Sequence, residues 1–439
     1  MYTRPGRRRL WLPSVPLLCA VALLAVPQPA WPSTETAVVR VIDAHARPLR
    51  STSPSGDLGD LRALGQMVDG ASVVGLGEAT HNSREFFTMK HRVFRYLVRD
   101  KGFRAFSQEV HVAAGLRIND YVVRGKGDIR KIMKEEFQSG TRLWNTREYL
   151  DLFQWMRAYN TQHAQKLQYV GNDVDYPGEE LFVRVEEYAR SHHPELLEKL
   201  NRLYKGFRPT TDMETWMKDY PQKPVAERKA LAVRAGEAVD LLRRHGADDT
   251  VVQYARFIAQ VATLYSYDLN DEAELLKAVQ YREQAMADNT VWWNRRTGGR
   301  TLLSAHNGHV AYGNSRPEYP YRIQGDLLRE QLGRRYVSVG FTFHQGSFNA
   351  FASGTEDLRP FTVGPPERGS NEFTLDKVRY RDYVLDMRTV PALARAWLSQ
   401  ARPTRDIGSE YPEEPRPVAL GTFHDILIHL HKIHAATLL

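Results

Sequence analysis

Five short runs of apolar and β-branched residues limit the fold of this chain more than any other feature. The runs are Val73–Gly77, Phe103–Glu109, Leu167–Asp173, Thr301–His306 and Tyr336–Phe343. Their nearly continuous apolar character is typical of strands buried on both faces of a parallel sheet. Stretches with helical spacing lie between them, such as residues 84–100 and 147–163. This alternation predicts an α/β fold with a mainly parallel sheet flanked by helices.

Two segments depart from the alternation. Residues 178–297 are rich in Glu, Arg, Leu and Ala and lack strand-like runs, which predicts a helical insertion between the third and fourth strands. Residues 345–439 mix strand-like and helix-like stretches. We expect them to form a small α+β lobe with a terminal strand or helix that returns to the core. The α/β catalytic core is then predicted at residues 33–177 and 298–344.

The N-terminus has the order of a secretory signal. Four arginines precede an apolar run from Leu10 to Val26, and small residues and prolines follow it. We predict a signal peptide at residues 1–32, a secreted or extracytoplasmic protein, and no stable membrane insertion after the signal is removed. Cys19 is the single cysteine and lies in this signal. The mature chain is therefore expected to have no disulfide, no catalytic thiolate and no cysteine-bound zinc.

The charge of the chain does not indicate nucleic-acid binding. The formal net charge is +8, but four of the contributing arginines belong to the predicted signal. The remaining excess is modest, and no basic stripe with interleaved aromatic residues is present. We therefore predict no nucleic-acid partner.

Acids and histidines follow directly after the predicted strands. They are Glu78, His81, Glu109, Asp173, His306, His309 and His344. In an open parallel sheet, ligands bind outside the carboxyl ends of the strands. Several such residues on one edge of the sheet therefore indicate a catalytic or metal-binding cleft.

Most of these residues have a structural alternative. Glu78 could cap the following helix, because acids favour helix N-termini, and Asp173 could form a turn. Glu109 is harder to explain in this way, since an unpaired buried carboxylate is costly. His306 and His309 place two imidazoles three residues apart in one turn. Together they favour a functional site over a structural one.

The residue types favour activation of water over a covalent nucleophile. No Gly-x-Ser-x-Gly elbow stands at a strand-to-helix turn, and the mature chain has no cysteine. Histidine titrates near neutral pH, so His81 could take a proton from water, with Glu78 orienting its ring. Cations that could stabilise the resulting oxyanion are Lys90, Arg282 and Arg84. Trp144 could form part of the wall of the cleft.

A metal is the alternative to direct water activation. Acids and histidines of this kind also bind zinc or manganese. However, the order Glu-x-x-His differs from the His-Glu-x-x-His signature of zinc proteases. We therefore predict no metal ligand and no cofactor.

Two motifs resemble the signatures of the erythromycin esterase family. The first is Gly75–His81 with its continuation through Lys90, and the second is Ala305–His309. Further similar motifs follow in the expected order, namely Phe106–Glu109, Trp144–Glu148, Gly171–Asp173 and Arg282 with its neighbours. The resemblance covers roughly residues 60–430.

This resemblance implies hydrolysis of a macrolactone ester without covalent attachment to the enzyme. His81 matches the family's water-activating histidine and Glu78 its acidic partner. Glu109, His306 and His309 match residues of the cleft. In two places the sequence departs from the family. Lys90 stands where some members have Arg, and Glu283 stands where Asp is expected after Arg282.

Our hypothesis from the sequence is an exported carboxylic ester hydrolase for a small-molecule ester or macrolide-like lactone, with antibiotic resistance as one role. The predicted catalytic residues are His81, Glu78, Glu109, His306 and Lys90. The predicted substrate-binding residues are His309, Arg282, Asp173 and Trp144. Two alternatives stay open. One is a tailoring enzyme that uses the same pair for elimination or cyclisation, and the other is an exported metal- or ligand-binding protein.

Overall fold

A computed structural model describes residues 31–316 and 319–439. The predicted signal peptide therefore lies outside the described residues, except for its last two positions. Within the described ranges, no helix combines the length and the apolar character needed to cross a membrane.

The strands form one large sheet and one small one. They are β1 (Arg47–Pro48), β2 (Val73–Leu76), β3 (Phe103–His111), β4 (Gln168–Asp173), β5 (Arg300–Ser304), β6 (Tyr336–Ala352), β7 (Leu358–Val363), β8 (Tyr383–Asp386), β9 (Arg402–Thr404), β10 (Glu410–Tyr411), β11 (Arg416–Val418) and β12 (Ile426–Ile433). The large sheet has the order β1-β8-β12-β6-β2-β5-β3-β4, and β7 and β10 pair with β6. β9 and β11 pair with each other.

The five predicted strands are β2 to β6, and they are neighbours in the sheet. All pairs in the series β6-β2-β5-β3-β4 are parallel. The predicted α/β fold with a mainly parallel sheet is therefore confirmed. The predicted end of β6 at Phe343 is wrong, because the strand continues to Ala352. β12 pairs with its middle, from Val339 to Gly346, and β7 pairs with its second half, from Gly346 to Phe351.

Helices cover both faces of the sheet and fill the segment between β4 and β5. They are α1 (Trp31–His45), α2 (Arg62–Met67), α3 (Arg84–Lys101), α4 (Val112–Arg124), α5 (Ile129–Glu136), α6 (Arg147–Gln162), α7 (Glu179–His192), α8 (Leu197–Tyr204), α9 (Met213–Asp219), α10 (Val225–Arg244), α11 (Asp249–Leu264), α12 (Glu272–Thr297), α13 (Asn307–Val310), α14 (Gln324–Leu332), α15 (Asn371–Leu375), α16 (Ala392–Leu398) and α17 (Leu420–Phe423). The helical spacing predicted at residues 84–100 corresponds to α3, which Gly102 ends with a left-handed backbone at a φ of 72°.

Three of the apolar cores have distinct positions. One lies between the sheet and helices α3 and α6, and includes Phe94, Phe106 and Phe341. The second joins helices α7 to α12 to each other and to α4. The third lies between β8, α1 and α16. From Glu179 to Thr297 the regular elements are helical, whereas β8 and β12 belong to the main sheet. The exact domain boundaries stay a prediction.

The turn between β2 and α3 is fixed by its neighbours at the carboxyl edge of the sheet. The N–H of Gly77 donates to the carbonyl of Val339 at 2.9 Å, and the N–H of Asn307 donates to the carbonyl of Glu78 at 2.9 Å. A side chain at Gly77 would collide with the amide oxygen of Asn307. A glycine is therefore required for this close approach.

Candidate active site

Glu78 connects two basic side chains at the carboxyl end of β2. Its Oε1 lies 2.9 Å from Nδ1 of His81, and its Oε2 accepts a hydrogen bond of 2.5 Å from Nζ of Lys90. Glu78 and Lys90 are each about 1% exposed. Burial alone would raise the pKa of Glu78, but Lys90 and His81 together outweigh it and hold the pKa below its usual value. Glu78 is therefore an ionised carboxylate.

Lys90 contacts Glu78 from the interior of the protein. Its Nζ also donates to the carbonyl of Ala305 at 3.2 Å. Burial lowers the pKa of Lys90, and the charge of Glu78 opposes this only in part. The ammonium group has no path to a ligand outside the protein. The predicted role of Lys90 as an oxyanion-stabilising cation therefore does not fit, and its contacts are those of a positioning residue.

His81 presents one free nitrogen. Because the ionised Glu78 can only accept hydrogen bonds, Nδ1 of His81 carries the proton that it shares with Glu78. Nε2 then has a lone pair, and in residues 31–316 and 319–439 no group hydrogen-bonds to it. The side chain is 12% exposed. A neutral ring in this tautomer has the form of a general base.

The ring of His81 is held between two other rings. Trp144 packs edge-on against it, with ring centroids 5.5 Å apart and an interplanar angle of 77°. The centroid of His306 lies 4.9 Å away. The backbone N–H of His81 donates to the carbonyl of Gly408 at 3.4 Å. Trp144 thus lies beside the ring of His81, and it was predicted to form part of the wall of the cleft.

His306 is next to His81, but both of its ring nitrogens are occupied. Nδ1 accepts the N–H of Gly308 at 3.1 Å and so caps α13, while Nε2 lies 3.2 Å from the carbonyl of Ile407, to which it donates. Burial lowers the pKa of His306 to about 4, against the opposing effect of Asp406. The ring is therefore neutral near pH 7 and has no free nitrogen. These contacts do not fit the predicted catalytic role and indicate a structural one.

Glu109 lies in β3 and connects the two motifs with the helical segment. Its Oε1 is 3.0 Å from Nε2 of His309 and 3.6 Å from Nη2 of Arg282. Its Oε2 accepts the backbone N–H of His306 at 3.0 Å. Burial alone would raise its pKa, but His309 above all, together with Arg282, holds the pKa well below the usual value. Glu109 therefore keeps its negative charge.

His309 has a carboxylate on each side. Nε2 faces Glu109, and Nδ1 lies 2.8 Å from Oε1 of Glu283. Burial alone would lower its pKa, but the two carboxylates outweigh it and raise the pKa well above the usual value. His306 and His309 are three residues apart, but the ring of His306 is neutral and the ring of His309 is positively charged.

Arg282 reaches the site from α12. It forms a two-pronged ion pair with Asp173 at the end of β4, in which Nε donates to Oδ1 at 2.9 Å and Nη2 donates to Oδ2. Its side chain is 28% exposed. In the ranges that the structure describes, no hydrogen bond involves Nη1. This group is available to a ligand.

The structure brings together the nine residues predicted for the site, as a chain of contacts around His81 and Glu109. They are Glu78, His81, Lys90, Glu109, Trp144, Asp173, Arg282, His306 and His309. Two weaker candidates lie elsewhere. Arg84 is half exposed and pairs with Glu85. His344 contacts Asp376 and stacks on His431, because its position in the long β6 is beyond the edge where β2 and β5 end.

Two contributions to the site were missed from the sequence. Glu283 stood out only as a departure from the family pattern, whereas it contacts His309 directly. The loop after β9 was expected only as part of the small α+β lobe at residues 345–439. In the structure, the N–H of Ile407 donates to the carbonyl of Ala79 at 2.8 Å, and Gly408 binds the backbone of His81. No local sequence pattern shows such a long-range backbone contact.

The site was also compared with the requirements of a metal centre. Within the part of the chain that the structure describes, no three His, Cys, Asp or Glu side chains are arranged so that they could hold an ion. Carboxylates fill the positions beside the nitrogens of His309, and hydrogen bonds involve both nitrogens of His306.

Comparison with known proteins places the chain in a family. The family model for erythromycin esterase matches residues 98–433, which is more than half of the chain. The chain belongs to the erythromycin esterase family. The match includes Glu109, Arg282, His306 and His309, but it begins after His81. The role of the Glu78–His81 pair therefore rests on its geometry.

Individual members and solved structures agree with this assignment. The erythromycin esterase type II of Escherichia coli is 21% identical over 398 residues, which cover 81% of this chain and 91% of the relative. The crystal structure of a succinoglycan biosynthesis protein is 30% identical, with a TM-score of 0.83 over 93% of this chain and 99% of the other. A mutant of the erythromycin esterase EreC in its open conformation is 17% identical, with a TM-score of 0.66 over 90% of this chain and 99% of the other, and shares the fold. Membership in the erythromycin esterase family supports a hydrolase of ester-type substrates.

Proposed function

We propose that this chain hydrolyses a carboxylic ester with a water molecule that His81 activates, without a covalent enzyme intermediate. The observation that carries the proposal is the contact of 2.9 Å between Nδ1 of His81 and the carboxylate of Glu78. Glu78 fixes the proton on Nδ1, so that the lone pair of Nε2 points away from the carboxylate toward the accessible side. Among the described residues, no Ser or Thr hydroxyl hydrogen-bonds to His81. Water is therefore the nucleophile that the geometry favours.

The reaction proceeds in two steps. Nε2 of His81 takes a proton from water while the water oxygen forms a bond to the ester carbon, which leaves a negative charge on the carbonyl oxygen. The intermediate then collapses, the bond between carbon and the leaving oxygen breaks, and His81 returns its proton to that oxygen. The products are an acid and an alcohol, or one hydroxy acid from a lactone. Glu78 stabilises the imidazolium that exists between the two steps.

The charges around His81 favour this intermediate state. The surrounding ion pairs contain the carboxylates of Glu78, Glu109, Asp173 and Glu283 and the cations of Lys90, Arg282 and His309. In this group, four negative charges face three positive ones while His81 is neutral. Proton uptake by His81 therefore balances the group, which lowers the free energy of the state that follows water activation.

Arg282 is the group that we assign to the developing oxyanion. Its Nε and Nη2 are bound to Asp173, which fixes the guanidinium plane and directs the remaining Nη1 outward. A guanidinium group keeps its charge throughout the accessible pH range. Preorganised donors of this kind stabilise charge that forms in the transition state without having to reorient.

For the substrate we propose a macrolide-like lactone. The family and the Escherichia coli relative with the name erythromycin esterase type II support this class. We also propose that the mature protein acts outside the cytoplasm, where it would inactivate such an antibiotic before uptake. This rests on the basic and then apolar order of residues 1–32.

A lactone screen in water labelled with ¹⁸O tests the proposal. We expect a product that gains the mass of one water molecule, with the label in its carboxyl group and none in the protein. His81→Asn should abolish turnover and keep the fold, while His163→Asn, at an exposed histidine outside the site, should behave as wild type. Label in the protein, or full activity of His81→Asn, would overturn the mechanism.

The same screen separates the alternatives. A product without added water would favour a tailoring enzyme that catalyses elimination or cyclisation. Binding without turnover would favour an exported binding protein. Export itself is tested by fractionation of cells that express the full chain, in which a purely cytoplasmic protein with an intact N-terminus would contradict it.

A further inference from the structure

The ring of His309 lies between two buried carboxylates. Nε2 lies 3.0 Å from Glu109 and Nδ1 lies 2.8 Å from Glu283. Two carboxylates within 3.0 Å of the two ring nitrogens stabilise the doubly protonated, positively charged ring over the neutral one. The positions of these charges therefore favour an imidazolium at position 309.

Glu283 has little freedom to move away from this ring. Its side chain is buried, and its Oε2 accepts the backbone N–H of Gln324 at 2.7 Å, at the start of α14. Its neighbour in α12, Arg282, is fixed by the two-pronged ion pair with Asp173. Two adjacent residues of one helix thus anchor the helical segment to the edge of the sheet, one through a cation and one through a carboxylate.

We propose that Glu283 is a positioning residue that keeps the His309 ring charged and fixed against Glu109. Glu283 acts through His309, whose nitrogen shares Oε1 of Glu109 with Arg282. Glu109 in turn holds the backbone N–H of His306 at the start of α13. The inference rests on the proposed function only for its kinetic test, because the charge state of His309 can be measured without turnover.

Replacement of Glu283 by Gln removes one of the two carboxylates. The ring can then satisfy Glu109 with Nε2–H alone, so it releases the second proton at a lower pH. The variant loses the negative charge of Glu283, and the deprotonated His309 ring loses its positive charge. The net charge of the site is therefore unchanged. A change in activity would therefore arise from the position of His309 and Glu109 and not from the total charge.

The first experiment follows the His309 ring by ¹⁵N NMR in the full chain with labelled histidine, assigned with His309→Asn. In the wild type we expect both ring nitrogens to stay protonated above the usual titration range of histidine. In Glu283→Gln the ring should lose its second proton at a lower pH than in the wild type, and Glu283→Asp should be intermediate. Asp288→Asn removes an exposed carboxylate from the same helix and should match the wild type. A neutral ring in the wild type at pH 7, or an unchanged ring in Glu283→Gln, would overturn the proposal.

The second experiment measures ester hydrolysis by the same variants. For Glu283→Gln we expect kcat to fall about tenfold or more with KM changed less than about threefold, as for loss of an interaction made in the transition state. The profile of kcat/KM against pH should gain one ionisation, and Glu283→Asp should recover part of the rate. An unchanged kcat and pH profile would contradict the positioning role. If the wild type hydrolyses no ester, the proposed function fails, while the NMR result still decides the state of His309.

Discussion

The side chain of Asn307 pairs with the backbone of Phe341 as a neighbouring strand would. Nδ2 donates to the carbonyl of Phe341 at 2.8 Å, and Oδ1 accepts its N–H at 3.0 Å. The backbone N–H of Asn307 also binds Glu78. One residue thus connects β6 to the turn that carries the candidate catalytic pair, at a place where β2 has already ended.

Asn307→Ala should destabilise the protein by about 2–4 kcal/mol, because it leaves two buried backbone groups of Phe341 without partners. The free energy of unfolding in urea measures this effect. Asn270→Ala, at an exposed position, is the matched control and should change stability by less than about 0.5 kcal/mol. Equal losses in the two variants would contradict the structural role of Asn307.

Lys90→Met should cost about 3–5 kcal/mol of stability, since it leaves the buried carboxylate of Glu78 without its cation. The pKa of Glu78 should rise in this variant. The double variant Glu78→Gln/Lys90→Met should recover part of the loss, because no uncompensated charge remains. Denaturant unfolding of the four proteins gives the coupling energy. Lys131→Met, at an exposed lysine, is the control, and strictly additive effects at positions 78 and 90 would show that the pair is not coupled.

Arg282→Lys should lower kcat/KM by about 10- to 100-fold, the range that corresponds to one charge-assisted hydrogen bond. Lysine keeps the positive charge but loses the planar fork that binds Asp173 and directs Nη1. Steady-state kinetics with an ester that the wild type cleaves provide the measurement. Arg295→Lys, an exposed substitution on the same helix, should have no effect. Wild-type kinetics for Arg282→Lys would show that positive charge alone is enough.

Stability should fall with acid between about pH 6.5 and pH 3, because three buried histidines are neutral in the folded state. Burial lowers the pKa of His91 to about 3 and that of His306 and His424 to about 4. The unfolded chain binds more protons than the folded one in this range, so stability rises with pH there and is lost as pH falls. Each of these histidines contributes on the order of 3 kcal/mol to the free energy of unfolding at neutral pH.

The pH effect is checked by urea unfolding at several pH values. His91→Leu should reduce the slope of stability against pH, because it removes the histidine that has no hydrogen-bond partner at Nε2. His245→Asn, at an exposed histidine, should keep the wild-type slope. A slope that is the same in His91→Leu and in the wild type would mean that His91 is already protonated in the folded protein.

Local patterns were enough to predict the centre of the fold. Strands β2 to β5 are buried on both faces, and a short sequence window shows the apolar residues that this burial selects. The attachment of β8 and β12 to the same sheet could not be predicted in this way. Their partners are distant in the sequence, and alternation within a strand does not identify the strand beside it.

The sequence was enough to predict that the candidate residues lie close together, but it did not predict their individual contacts. The rule that strand ends gather at one edge correctly places Glu78, Glu109 and His309 together. This rule does not predict that His306 caps a four-residue helix or that Lys90 faces inward. Lys90 follows the spacing of the buried Phe86 and Phe87 on α3, so its inward position was visible in the helical pattern. The partner that makes this burial tolerable, Glu78, is a tertiary contact.

The backbone contacts of Ile407 and Gly408 with the turn of His81 have a consequence for the order of folding. They join residues more than 300 positions apart, and a contact of such high sequence separation forms late, because a long loop must close first. During synthesis the histidine emerges long before its support exists. The turn that carries His81 is therefore complete only after the C-terminal third of the chain has folded.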